Sequence, residues 1–297
     1  MKRFEWQQRI QRLDPEQDYH EIYRITATHE FPWDMNQALS FALYRTFAVP
    51  SIGQLLYETG EFTQRVQKRY DDTGLILDAV LEHGFSSEQG RAAIRRMNQM
   101  HRGYSISNDD MLYVLSVFVV VPIRWMLDYG WRRFCEQERV ASANYYRELG
   151  RHMNIKDIPA THEEFADLMD DYEREHFGFS EGGRNVSDAT LDLMATFPPS
   201  DRLPVRLVRR LSLSVMDDAL LSAFAYPSPP RAERALVRSA LRLRGRAVRL
   251  MLPRTDPKYA RQLPNFRSYP GGYEIDRLGT FPTGCPVHRA PAAETAG

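Results

Sequence analysis

The sequence predicts an all-α fold, and three observations carry that expectation. Apolar residues recur at helical spacing through most of the 297 residues, no segment alternates apolar and polar residues as a half-buried strand would, and no linker is rich enough in Pro, Gly or Ser to divide the chain. Taken in order, Pro50 suits the first turn of a helix running on through "SIGQLLYETGEFTQRVQKRY". Ser86 with Gln89 makes a capping-box start for a helix through residue 101, and Gly103 suits its end. Ser107 with Asp110 opens the next helix, whose apolar run "MLYVLSVFVVVPI" (111–123) is bent late by Pro122. Helical periodicity returns in 131–153, 161–177, 202–224 and the Arg-rich 231–251. From Pro253 the chain turns Pro- and Gly-rich and reads as an ordered extended wrap. The expected organisation is one domain over 1–285 and a disordered tail over 286–297.

Composition bounds the function more by exclusion. Lys+Arg and Asp+Glu number 39 each, so no net charge draws the chain to nucleic acid, and none is expected as a partner. Two cysteines, Cys135 and Cys285, exclude a disulfide framework and a CxxC metal site and fit a reducing compartment. The N-terminal "MKRFEWQQRIQRLDPEQ" has no apolar signal region, and 111–123 is short for a bilayer span, so the expected location is cytoplasmic.

Among candidate residues His101 stands first. Ile94, Met97 and His101 fall at i, i+3 and i+7, which aims the imidazole at the core. On pattern alone it is a hydrogen-bonded core histidine, the commoner case, or a ligand to something held there. The apolar wall 111–121 follows at once, as a flat macrocycle would need, and Arg69 and Thr73, four apart, share one face of the preceding helix. Metal alternatives are poor: neither "HEIYR" at His20 nor "HEEFA" at His162 has a second histidine four residues on. Gly178-Phe179-Ser180-Glu181-Gly182 matches GxSxG, but an acidic helical pattern precedes it where a nucleophile elbow needs a strand. Cys285-Pro286, with His288 close by, reads as an inert cysteine before a thiolate ligand. The arginines of 231–251 recur against Leu236, Leu243 and Leu250. Their plain reading is a solvated face; a peripheral contact with anionic lipid is the alternative, because 163–175 is as acidic as 231–254 is basic.

The stretches "FPWDMNQALSFALYRTFAVPSIGQLLYETGEF", "KRYDDT", "MHRGYSISNDDMLYVLSVFVVVPIRW", "GRHMNIKDIP" and "YPGGYEIDRLG" together resemble the DUF2236 family. That family includes the latex clearing proteins (rubber oxygenases) and the fungal ER-bound MpaB-type oxygenases. The resemblance runs over roughly residues 30 to 280. It implies a globin-like helical core with additional helices and a haem b cofactor whose iron is held by His101. Arg69 and Thr73 would lie near that haem as both cofactor-binding and catalytic residues. The reaction implied is oxidative cleavage, with dioxygen, of an isoprenoid-type carbon–carbon double bond in a small apolar or prenylated substrate. Two rival readings are a non-catalytic haem-binding protein, for storage or sensing, and a member of the family with a changed cofactor. One departure is informative. Where rubber oxygenases carry a lysine able to cap the iron, this chain has Asp72. That residue is either a helix acid paired with Lys68 or Arg69, or an acid–base group of the pocket.

Overall fold

The computed structural model describes residues 1–280; Cys285, His288 and the tail 286–297 lie outside the described residues. Among the described residues there are fourteen α-helices and no strand. The first three are α1 (Glu5–Ile10), α2 (Tyr19–Ile25), which runs into a π-helical turn over Thr26–Glu30, and α3 (Pro32–Thr46). Next come α4 (Pro50–Glu58), α5 (Glu61–Gln64), α6 (Val66–His83), α7 (Glu88–His101) and α8 (Asn108–Asp128). The series closes with α9 (Glu136–His152), α10 (His162–His176), α11 (Glu181–Met194), α12 (Val205–Val215), α13 (Asp218–Ala223) and α14 (Arg231–Arg249). An extended wrap over 253–280 follows, with single 3-10 turns at Ala260–Gln262 and Ile275–Arg277.

Helix α8 is the axis of the fold. Ser107 caps it by accepting the Asp110 amide at 3.0 Å, and Pro122 sits inside the helix without ending it. It is long and apolar enough to cross a bilayer, longer than its apolar run suggests, yet most of it is buried against α3, α9 and α10. It is therefore a core helix by packing. Helices α6 and α7 pair with each other, α4 packs on α11, and α12 packs on α14. The main apolar cluster draws residues from Tyr23 to Leu278, so the wrap belongs to the same core.

Several boundaries differ from the sequence expectation. The helix opened by Pro50 stops at Glu58, because Gly60 takes a left-handed φ of +71° and turns the chain before α6 begins. Ser87, not Ser86, caps α7, accepting the Gly90 amide at 2.9 Å, and Gly103 does not adopt the left-handed conformation of a closing glycine. The 202–224 segment is two helices, divided where Asp217 accepts the Leu220 amide at 2.9 Å and caps α13. Ser180 of the GxSxG match caps α11 through the Gly183 amide at 3.1 Å, with helix α10 before it. Helix α11 itself, with Gly182 and Gly183 in its first turn, has no counterpart in the sequence reading. Those glycines are needed: a Cβ on Gly53 would lie 2.7 Å from the Gly183 Cα, so α4 and α11 cross at backbone contact.

Candidate functional site

Helices α4, α6, α7 and α8 enclose a cavity of about 670 Å³, in the range of sites that bury a small molecule. Its walls are mostly apolar: Ile52 and Leu55 from α4, Ile76 from α6, Met97 from α7, and Val114 and Phe118 from α8. Among the polar groups that reach it are Arg69, Thr73 and His101. The structure thus brings together three of the four residues singled out in the sequence.

His101 is the last residue of α7 and half-buried. Its Nδ1 lies 2.9 Å from the Met97 carbonyl oxygen, one helical turn back. A carbonyl only accepts, so Nδ1 carries the proton and Nε2 keeps its lone pair. Burial lowers the pKa of the ring and the nearby Arg69 cation lowers it further, against a smaller rise from the Met97 carbonyl. The result is a neutral imidazole, locked in one tautomer, which is the form that ligates a metal.

Arg69 is the uncommon feature. Burial depresses its pKa, and Asp72, Glu61 and Tyr104 offset only part of that. Among the described residues no carboxylate oxygen comes within 4 Å of its guanidinium. Its partners are the Thr73 hydroxyl oxygen and the Phe62 ring, 5.1 Å away. Thr73 in turn donates to the Arg69 carbonyl at 3.0 Å. The hydroxyl is therefore occupied at both ends, and Thr73 acts as a positioning residue that holds Arg69 at the cavity. A cation in such a place is poised for an anionic group brought by a ligand.

Asp72, expected as a candidate acid–base group, is turned away from this cavity. At about 100° per residue it stands roughly 60° to one side of Arg69, while Thr73 stands about 40° to the other. Its carboxylate accepts from Lys68 Nζ at 2.6 Å and from the Tyr269 hydroxyl of the wrap. The pairing with Lys68 is the plainer of its two sequence readings. Sequence reasoning missed Glu61 and Tyr104, which share the cavity with Arg69; Glu61 follows the break at Gly60, a turn hidden inside a helical pattern. A smaller cavity of about 110 Å³ lies beyond Leu43, Thr73, Leu77 and Phe118, which line both spaces.

Among the described residues no three His, Cys, Asp or Glu side chains converge as a metal cage. An iron at His101 would thus take its other ligands from a cofactor. The donor set fits a haem on three counts: one neutral Nε2, a large apolar cavity, and an unpaired cation suited to a propionate.

Comparison with known proteins identifies the family of the chain. The family model described as the catalytic domain of ER-bound oxygenase mpaB/B'/rubber oxygenase matches residues 35–250, from α3 through α14. The chain belongs to this family. The ER-bound oxygenase mpaB' of Penicillium brevicompactum is 27% identical over 250 residues, 78% of this chain and 59% of that protein. The ER-bound oxygenase mpaB of Penicillium roqueforti is 28% identical over 229 residues, 71% of this chain and 76% of that protein. The chain therefore spans well under two-thirds of the first relative and about three-quarters of the second. All four candidate residues fall inside the oxygenase domain match, whereas the wrap lies beyond it.

Proposed function

We propose that the chain is a haem b-dependent oxygenase that cleaves a carbon–carbon double bond of a small apolar, prenylated substrate with dioxygen. The observation that carries this reading is the single-tautomer, neutral His101 in the wall of a cavity that also holds the unpaired Arg69. Haem bound there supplies the iron at which dioxygen is activated. The protein's own residues supply the rest. His101 Nε2 is the ligand, held in orientation by its Nδ1–H bond to Met97. Arg69 offsets negative charge, either a carboxylate of the cofactor or charge that develops during oxygen chemistry. Thr73 fixes the Arg69 guanidinium from below. Met97, Val114 and Phe118 exclude water and give a greasy side chain an apolar bed. Asp72 takes no part, since its carboxylate serves the wrap.

The test is an absorption spectrum of the purified protein, as isolated, oxidised and dithionite-reduced, followed by oxygen uptake with prenylated alkenes. A Soret band that shifts on reduction, and alkene-dependent oxygen consumption, are expected. Protein that takes up no haem even when haem is supplied would refute the cofactor assignment. Haem without oxygen uptake on any alkene would refute the reaction.

A further inference from the structure

We infer that α14 docks the protein on an anionic lipid surface, with its leucines inserted between headgroups and its unpaired arginines set on phosphates. The inference stands independently of the cavity.

The rotation of α14 is fixed from inside. Gly245 is buried where a Cβ would lie 2.6 Å from the Tyr129 carbonyl oxygen, so the helix crosses the end of α8 at backbone contact. Arg244 bonds both oxygens of buried Asp34 at 2.6 Å, and Leu241 and Val248 pack on the main core. Arg234 and Arg238 also turn inward, donating to the Met216 carbonyl at 3.0 Å each. An arginine-rich helix would be expected to show its cations to water and its leucines to the core. Here the leucines face out.

Leu236, Leu243 and Leu250, seven residues apart, are 71%, 64% and 88% exposed. At about 100° per residue they fall on one stripe opposite Gly245, filled in by Ala232, Ala240 and Ala247. The stripe continues into Met251 and Leu252, 61% and 89% exposed. The Trp6 indole donates to the Arg254 carbonyl at 2.8 Å, which holds α1 beside this end of the stripe, next to the exposed Phe4.

Along one flank stand Arg231, Arg242, Arg246 and Arg249, all exposed, and among the described residues none has a carboxylate within 4 Å. A continuous apolar stripe costs free energy in water, and a row of unpaired cations calls for anions beside it. An anionic bilayer meets both demands at once: the acyl boundary takes the leucines and the phosphates take the guanidinium groups. A nucleic acid would use the arginines and leave the leucines in water. Pairing this helix with its equivalent in a second copy would cover the leucines but bring up no free acid, since its one carboxylate, Glu233, is bonded to Arg210.

Flotation of the purified protein with phosphatidylcholine vesicles, with and without about a third phosphatidylserine, tests this directly. Binding is expected only with the anionic lipid and should weaken with salt. Changing Arg242, Arg246 and Arg249 together to Gln should lower the affinity about a hundredfold, at about fivefold per charge, while the same three changed to Lys should retain it. Leu243→Glu, at an exposed position that leaves the fold and the haem spectrum unchanged, should abolish insertion. Equal binding to neutral vesicles, or no loss with Leu243→Glu, would overturn the inference. So would a dimer in solution that Leu243→Glu splits while vesicles bind neither form.

Discussion

Replacing His101 with alanine separates ligation from folding. The imidazole stands in the wall of a cavity of about 670 Å³, so its removal widens an existing space instead of opening a void in the core. The folding cost is then chiefly the Nδ1–H bond to the Met97 carbonyl at 2.9 Å, a bond worth about 1 kcal/mol. Alanine recovers about half of that through its higher helix propensity. A net loss near 0.5 kcal/mol moves the melting temperature of a chain this size by roughly 1–2 °C. The effect on haem is of another order, because no other described side chain joins His101 in a metal cage. At free haem a hundred times its dissociation constant, binding adds about 2.7 kcal/mol of stability to the native protein, and the variant forfeits that. The assay pairs haem stoichiometry from the Soret absorbance with thermal melts of both proteins, with and without haem. The haem-free forms should melt within about 2 °C of each other, and only native His101 should give a haem-dependent rise. Added imidazole should restore the Soret band by entering the space left behind. A His101→Ala protein with a full haem complement and an unchanged spectrum would show that the ligand is elsewhere. A haem-free variant that fails to fold would show that the imidazole is a core strut and not a cavity wall.

Three further outcomes follow from the same geometry. Arg69→Leu removes a desolvated cation that has no carboxylate partner, so the haem-free protein should melt no lower than the parent, and higher if burial dominates, while turnover falls at least about tenfold; a large loss of haem-free stability would mean that Arg69 is paired. Burial lowers the pKa of His20, His29 and His101 below the ordinary 6.5, so below that value the unfolded chain binds more protons and stability declines with falling pH. Urea midpoints of the haem-free protein should therefore drop below pH 6.5, with these three groups adding no slope above it. Asp72→Asn keeps a partner for Tyr269 but weakens the bond to the partly exposed Lys68, so it should cost about 1 kcal/mol and leave the pH–rate profile unchanged; a shifted profile would put Asp72 back among the catalytic groups.

What the sequence disclosed and what it hid divide along the range of the interactions involved. His101 was legible because Ile94, Met97 and His101 repeat at helical spacing, and the Arg69–Thr73 pair because i and i+4 share a face. Both are properties of a few consecutive residues. The pairing of Asp72 with Lys68 was legible as an i, i+4 contact, but its second partner, Tyr269, is 197 residues away and was not. The inside of α14 was concealed for the same reason: Asp34 and the Tyr129–Gly130 backbone choose which face is buried, and the helix's own pattern of arginines and leucines points the other way. Helix α11 was missed because Gly182 and Gly183 lower helix propensity, while the close crossing with α4 demands them. Short-range rules placed the site residues; long-range contacts decided what each of them faces.

The placement of α6 joins these points. Its inner face carries Arg69 and Thr73 to the cavity; its outer side carries Asp71, Asp72 and Asp78, which are 1%, 2% and 3% exposed. Three acids buried so completely would each cost about 1–3 kcal/mol or more if left unpaired, and the wrap supplies most of their partners. Asp71 accepts the Arg267 and Ser268 amides at 3.0 and 2.8 Å, and Asp78 accepts the Ala260 amide at 2.9 Å and the Arg261 guanidinium at 2.8 Å. The same segment reaches α7, where Arg96 donates to the Leu278 and Thr280 carbonyls at 2.6 and 2.7 Å. The wrap therefore bonds to both of the helices that bear Arg69 and His101, which also pack directly on each other, although Thr280 is the only described wrap residue that touches the cavity. This division has a chemical reason. A mostly apolar cavity stays dry only if few polar groups face it, so the polar bonds that lock its walls lie on the opposite face of the helix that builds it.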